Sequence, residues 1–179
     1  MRPAVLLESN AAEGPGSGKT EPRRMETIEV AERNDFQGGE GSRRTLVLRA
    51  ELAGLDDARR FLRDSLRSVR MEEEELFKLE VALVEICVNI IRYAYPDGPG
   101  EITISLGTAP SVWLEIRDSG RSFDPRLVPT PDLDEHLKIG RRGGLGVYLA
   151  RSLVDDFDYR REGGGNIVTL RQRRPQPAQ

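Results

Sequence analysis

From Glu72 to about Tyr95 the chain carries one long helical segment that is apolar on almost every side: Leu79, Ala82, Leu83, Val84, Ile86, Val88, Ile90 and Ile91. The acidic run Glu72 to Glu75 suits a helix N-terminus, and Pro96-Asp97-Gly98-Pro99-Gly100 stops the segment. A helix this apolar needs a layer to pack on, and its neighbours supply one. Thr45 to Leu52 alternates Leu46, Leu48 and Ala50 with polar residues and reads as a strand. A first helix, with Asp56 or Asp57 as its expected cap, spaces Ala58, Phe61, Leu62, Leu66 and Val69 helically. Glu101 to Leu106 and Val112 to Arg117 form a hairpin around Gly107 to Ser111, and Gly144 to about Asp155 reads as a third helix. Phe157 to Arg161 and Asn166 to Arg171 close the chain as a hairpin around Gly163-Gly164-Gly165. Hairpin-linked strands interrupted by helices predict an α+β fold, a two-layer α/β sandwich, rather than a doubly wound parallel sheet. The expected sheet is mixed, mostly antiparallel, with helices on one face.

Residues 1–42 and 174–179 stand outside this pattern. The first stretch is rich in Gly, Glu, Ser, Arg and Pro and is expected to be a largely disordered N-terminal extension; the second is expected to be a flexible tail. Gly14-Pro15-Gly16-Ser17-Gly18-Lys19-Thr20 resembles a phosphate-binding loop, but Glu13 stands where such a loop needs glycine, and Pro22 opposes a helix after it. It reads as a flexible linker. Lys plus Arg number 27 against 30 Asp plus Glu, a net charge of -3, so no overall basic field exists to hold nucleic acid directly. No apolar run approaches the roughly 18 residues of a membrane span, and no secretion signal stands at the N-terminus. The single Cys87 excludes an internal disulfide, and the single His136 excludes a Cys/His metal cage. These features predict a cytoplasmic, reduced protein.

Three polar clusters interrupt the apolar pattern. Glu85 and Asn89 are four residues apart and share one face of the long helix. Either they bond to backbone groups as buried polar residues do, or they face a hydrated cation, with Asn as an oxygen ligand and Glu holding water. Asp118-Ser119-Gly120 ends a strand, which suits either a plain turn or an acceptor for a polar ligand beside a closely approached backbone. Gly140-Arg141-Arg142-Gly143-Gly144-Leu145-Gly146 runs into a helix. It is either a linker with a cap, or a cradle whose bare amides and helix dipole favour phosphate, with Arg141 and Arg142 adding charge.

In combination and in this order, the three clusters resemble the GHKL ATPases, the ATP-binding proteins of the gyrase, chaperone, histidine-kinase and mismatch-repair type (the Bergerat fold). The closer resemblance is to the stand-alone bacterial anti-sigma-factor serine/threonine kinases. It is carried by residues 80–95, 116–125 and 143–156 and covers about residues 43–173, the expected ATP-binding kinase domain. The resemblance implies ATP and Mg²⁺ as cofactors. Asn89 would ligate Mg²⁺ between the phosphates, and Glu85 would be the catalytic general base. Asp118 would accept from the adenine amino group, with the purine lying against Gly120. Arg142, Gly143, Gly144, Leu145 and Gly146 would hold phosphates, and residues 126–142 would form a mobile ATP lid. The implied function is ATP-dependent phosphorylation of a STAS-domain anti-anti-sigma protein, with sequestration of a sigma factor by a homodimer. The alternatives are a nucleotide-binding switch or scaffold with little catalysis, and a kinase with a target other than a sigma factor.

Two departures from the family accompany the match. Arg92-Tyr93 stands where many members carry Lys-His, and the N-terminal extension is long. No His precedes residue 136, which argues against a histidine autokinase, and His136 reads as a solvated loop residue. Arg59, Arg60, Arg63 and Arg67 line the first helix; they predict either a basic surface for an acidic partner or an ordinary solvated face.

Overall fold

The computed structural model describes residues 30–32, 43–131 and 145–173, with only the backbone for the first three. The strands are β1 (Val30–Glu32), β2 (Arg43–Arg49), β3 (Glu101–Gly107), β4 (Val112–Asp118), β5 (Asp156–Glu162) and β6 (Gly165–Gln172). The helices are α1 (Leu55–Leu66), α2 (Glu73–Tyr93) and α3 (Gly146–Leu153). The strands form one sheet in the order β1-β2-β3-β4-β6-β5. All five described pairings are antiparallel.

Register explains where the core sits. The pairings align Leu46, Ile104, Ile116, Val168 and Tyr159 in one row across five strands, and every member of the row is buried. This row shares a sheet face with Leu48, Ile102, Leu106, Leu114 and Leu170, also buried. The helices cover that face. α2 buries Leu79, Ala82, Leu83, Ile86, Cys87 and Ile90, and α1 buries Ala58, Phe61, Leu62 and Leu66, all within one cluster. Each fully buried Leu or Ile contributes about 1.5–3 kcal/mol relative to exposure. Burial also pushes the Cys87 thiol up to about 12, so this cysteine packs as a hydrophobe.

Local chemistry fixes the element ends. The β5–β6 hairpin turns through Gly163 and Gly164 at φ 60 and 84, the left-handed pair that a two-residue turn requires. The expected Asp56 or Asp57 cap is not what starts α1. A 3₁₀ turn, Leu52–Gly54, leads in, and Gly54 occupies the cap without a side-chain bond. Asp56 and Asp57 lie in the first turn, where they favour the helix dipole. They pair instead with Arg59 and Arg60, each at 3.1 Å.

Val30–Glu32 pairs with β2, inside the stretch whose composition predicted no structure. Three residues of that stretch gain ladder bonds from a neighbouring strand, which composition cannot reveal. The Gly14–Thr20 segment, His136, Arg141, Arg142, Gly143, Gly144 and residues 174–179 lie outside the described residues. Among the described residues, no helix is long and apolar enough to cross a membrane.

Candidate functional site

One row of the sheet breaks the apolar rule, and it builds half of the site. The register aligns Leu48, Ile102, Asp118, Asn166 and Arg161, so the row turns from apolar to polar at the end of β4. Asp118 is buried. Its Oδ1 accepts from the Gly120 amide at 2.8 Å and from Asn166 Nδ2 at 2.9 Å. The amide oxygen of Asn166 accepts from the Tyr159 hydroxyl at 2.9 Å and from Arg161 at 2.7 Å, while its nitrogen also donates to the Arg121 carbonyl at 3.0 Å. The Asn166 amide is thereby held from several sides, and it holds the Asp118 carboxylate in one orientation. Among the described residues, Oδ2 of Asp118 accepts nothing. Burial pushes the Asp118 carboxyl above the usual carboxylate range, opposed by the bonds from Asn166 and Gly120 and by the charge of Arg161.

α2 builds the other half. Glu85 and Asn89, one turn apart and half-buried, line a cavity of about 170 Å³ with Val88, Arg92, Tyr93, Phe123, Val128, Gly146 and Val147. A second cavity of about 30 Å³ shares Asn89, Tyr93 and Phe123 with the first and reaches Asp118, Arg121 and Asn166. The two meet along Asn89, so the face of α2 joins the polar end of the sheet. Neither the Glu85 carboxylate nor the Asn89 amide has a hydrogen-bond partner among the described residues. Among the described residues no backbone group satisfies either side chain, and both face the cavity.

Two glycines are explained by close approach. A Cβ on Gly120 would lie 2.6 Å from Ala94 Cβ and 2.7 Å from its carbonyl oxygen. The bare α-carbon lets the end of β4 close onto the end of α2, where the Arg121 amide donates to Ala94 at 2.9 Å. The steric demand seen at Gly120 is therefore set by α2. A Cβ on Gly146 would lie 2.3 Å from Glu85 Oε2. The first turn of α3, with Leu145 at the cap and no side-chain cap bond, thus seats beside the Glu85 carboxylate, and the helix dipole favours negative charge there. The wall opposite α2 is held by polar contacts. Asp124 caps the turn Pro125–Leu127 and pairs with Arg126 at 2.9 Å, and Arg151 of α3 donates to the carbonyls of Arg126 and Val128.

Of the residues singled out in the sequence, Glu85, Asn89, Asp118 and Gly146 gather around these joined cavities; Gly120 and Leu145 support them. Arg142, Gly143 and Gly144 lie outside the described residues. Sequence reasoning missed Asn166, Tyr159 and Arg161. Their only local signal is a polar residue opening a strand directly after a glycine turn, and its meaning depends on the β4–β6 pairing. It also missed Phe123, while Tyr93, noted as a departure, proves to line both cavities.

A helix carrying Glu and Asn one turn apart, an antiparallel sheet ending in a buried Asp, and a glycine-started helix against the Glu make up an α+β domain with a polar cleft at one end of its sheet. The match to a known family agrees: residues 48–172 fit the histidine kinase-like ATPase domain, and the chain belongs to that family. It is similar to the serine-protein kinase RsbW of Bacillus cereus strain ATCC 10987, at 28% identity over 127 residues, covering 68% of this chain and 73% of the relative. The RsbW of Bacillus thuringiensis strain Al Hakam matches at 27% identity with the same coverage. Among solved structures, the RsbU and RsbW domains of Rv1364c from Mycobacterium tuberculosis share the fold, with a TM-score of 0.53 at 19% identity. That alignment covers 75% of this chain and 33% of the other, so this chain spans about a third of that protein.

Proposed function

We propose that this protein is an ATP-dependent serine/threonine protein kinase of the anti-sigma-factor type, which phosphorylates a STAS-domain anti-anti-sigma protein and, as a homodimer in the cytoplasm, sequesters a sigma factor. The observation that carries the reading is the convergence of Glu85, Asn89, Asp118 and Gly146 from three separate elements on adjoining cavities. Similarity to the RsbW kinases supports it. The kinase domain is residues 43–173, with residues 1–42 an extension and 174–179 a tail.

The positions of Glu85, Asn89, Asp118, Gly120, Leu145 and Gly146 support the roles assigned to them. Oδ2 of Asp118 accepts from the adenine amino group, and the purine lies along Gly120. The phosphates lie toward α3 and are held by Arg142, Gly143, Gly144, Leu145 and Gly146. The residues present fit Mg²⁺. Among the described residues no cluster of three His, Cys, Asp or Glu exists to cage a metal, and Asn89 offers one hard oxygen. Mg²⁺ is commonly held by few protein ligands together with phosphates and water. When bound, it neutralises charge on the phosphates. In the transfer, the acceptor hydroxyl oxygen bonds to the γ-phosphorus and the bond from that phosphorus to the β–γ bridging oxygen breaks. ADP departs with the electron pair, and Glu85 takes the hydroxyl proton.

Purified protein with γ-labelled ATP and the STAS-domain proteins of its own genome tests the reading. The expected product is a STAS protein carrying acid-stable label, the behaviour of a serine or threonine phosphate. Release of phosphate without transfer, or acid-labile label, would overturn the reading.

The pH dependence of binding follows from Asp118. Its raised value means that the protonated form is favoured in the fold. Its contribution to folding is therefore present below the unfolded value and lost as pH rises through the folded one. Adenine recognition runs the other way, because the accepting oxygen must be ionised. ATP affinity is expected to fall as pH drops through a value above the ordinary 3.8 of aspartate. A calorimetric pH series should show this step in the wild type and not in Asp118→Asn. A series without the step in the wild type would contradict the assignment.

A further inference from the structure

The two halves of the site meet just past the end of α2, and one hydroxyl makes the joint. β3 and β4 pair in a register whose last rung matches Ile102 with Asp118. Carried one residue further, that register would match Glu101 with Ser119. The Gly100 carbonyl accepts from Ala50 on the β2 side at 2.9 Å, so the Glu101 carbonyl, next along the strand, turns toward β4. The Tyr95 hydroxyl stands in this rung. It accepts from the Ser119 amide at 2.9 Å and donates to the Glu101 carbonyl at 2.9 Å, with the Ser119 hydroxyl 3.5 Å away.

A bridging oxygen keeps the two strands further apart than a direct amide–carbonyl bond of about 2.9 Å would, and the chain after β4 turns toward α2. Gly120 nests on Ala94, and the Arg121 amide donates to the Ala94 carbonyl at 2.9 Å. Ser119, Gly120 and Arg121 are thus each fixed to Ala94 or Tyr95, the two residues that follow α2. Because α2 carries Glu85 and Asn89, the separation of Asp118 from that pair is set at this corner. The tyrosine is itself held. Its ring packs on the core cluster and against Gly100, where a Cβ would fall 2.0 Å from the ring. The bare α-carbon of Gly100 leaves the space that the ring fills.

We propose that Tyr95 is a positioning residue for nucleotide recognition: its hydroxyl, standing in the rung after Ile102 and Asp118, holds the turn 118–120 so that the Asp118 carboxylate meets the base while Asn89 and Glu85 meet the phosphates. The inference rests on the adenine reading of Asp118. Tyr95 lines neither of the joined cavities, so its effect reaches the ligand through Ser119 and Asp118. The remaining fixed point of Asp118 is Asn166, on the opposite side of the carboxylate. Asn166 orients the side chain, and Tyr95 places the backbone that carries it.

The test is a double-variant cycle on the full chain, with ATP and Mg²⁺ titrated by calorimetry into wild type, Tyr95→Phe, Asp118→Asn and the two combined. Tyr95→Phe keeps the ring against Gly100 and removes only the bridge. It is expected to weaken ATP binding about three- to tenfold, the scale of one hydrogen bond, with the thermal unfolding midpoint near that of the wild type. In the Asp118→Asn background the same change should cost little more, because the carboxylate through which it acts is gone. Gly100→Ala, which crowds the ring while leaving the hydroxyl in the sequence, should reproduce the loss. Wild-type ATP affinity in Tyr95→Phe would overturn the proposal and leave the adenine reading standing. So would a full, additive loss in the combined variant, which is what a general loosening of the fold produces. Wild-type ATP affinity in Asp118→Asn would bring down the adenine reading, and this proposal with it.

Discussion

Replacing Asp118 with Asn is expected to weaken ATP binding roughly 10- to 150-fold, the loss of one hydrogen bond to a charged acceptor, worth about 1.5–3 kcal/mol. The geometry makes the substitution informative. Oδ1 accepts from the Gly120 amide and from Asn166 Nδ2, and both donors require an oxygen at that position. An asparagine must therefore place its carbonyl there and its NH₂ where Oδ2 now stands. That group would face the adenine amino group donor to donor. The fold should survive, because the internal contacts of residue 118 are kept. Guanine presents an oxygen where adenine presents its amino group, so the same substitution should also narrow the preference for ATP over GTP.

Glu85→Gln is expected to lower the rate of phosphoryl transfer by about 10²–10⁴, the usual contribution of a general base, while leaving ATP affinity intact. Glutamine keeps the shape that packs against Gly146, whose α-carbon leaves space for only one side chain at this point. It cannot take the hydroxyl proton. Single-turnover transfer to a STAS acceptor, with calorimetry on the same samples, separates the two effects. Full transfer by Glu85→Gln would remove the carboxylate from the chemistry. Loss of ATP binding instead would assign it to the nucleotide.

Most of the architecture was legible because its signals are local. The period-two alternation of Leu46 and Leu48, the glycine pair at 163 and 164, and the Pro-Gly stop after Tyr95 each act within a few residues. The pairing of Glu85 with Asn89 was legible for the same reason, since helix geometry alone puts them on one face. The relation of Asp118 to Asn166 was not. It arises because β6 inserts between β4 and β5, with a helix and a long segment intervening in the chain. No spacing rule encodes a contact set by the order of strands. The cap of α1 was misjudged because Asp56 and Asp57 found guanidinium partners one turn on, leaving the cap to Gly54. The arginines of α1 read in the sequence as either a basic surface or an ordinary solvated face; charge composition shows the cations, and only the fold shows that Glu73 and Glu80 of α2 reach across to Arg63.

The most direct measurement of the central claim is a side-by-side calorimetric titration of wild-type protein and Asp118→Asn with ATP and with GTP, in the presence of Mg²⁺. The expected result is saturable wild-type binding of ATP in clear preference to GTP, with ATP affinity and that preference both reduced by the substitution. Equal affinity of the wild type for the two nucleotides, or an unchanged ATP isotherm in Asp118→Asn, would contradict the assignment of this cavity as an adenine nucleotide site.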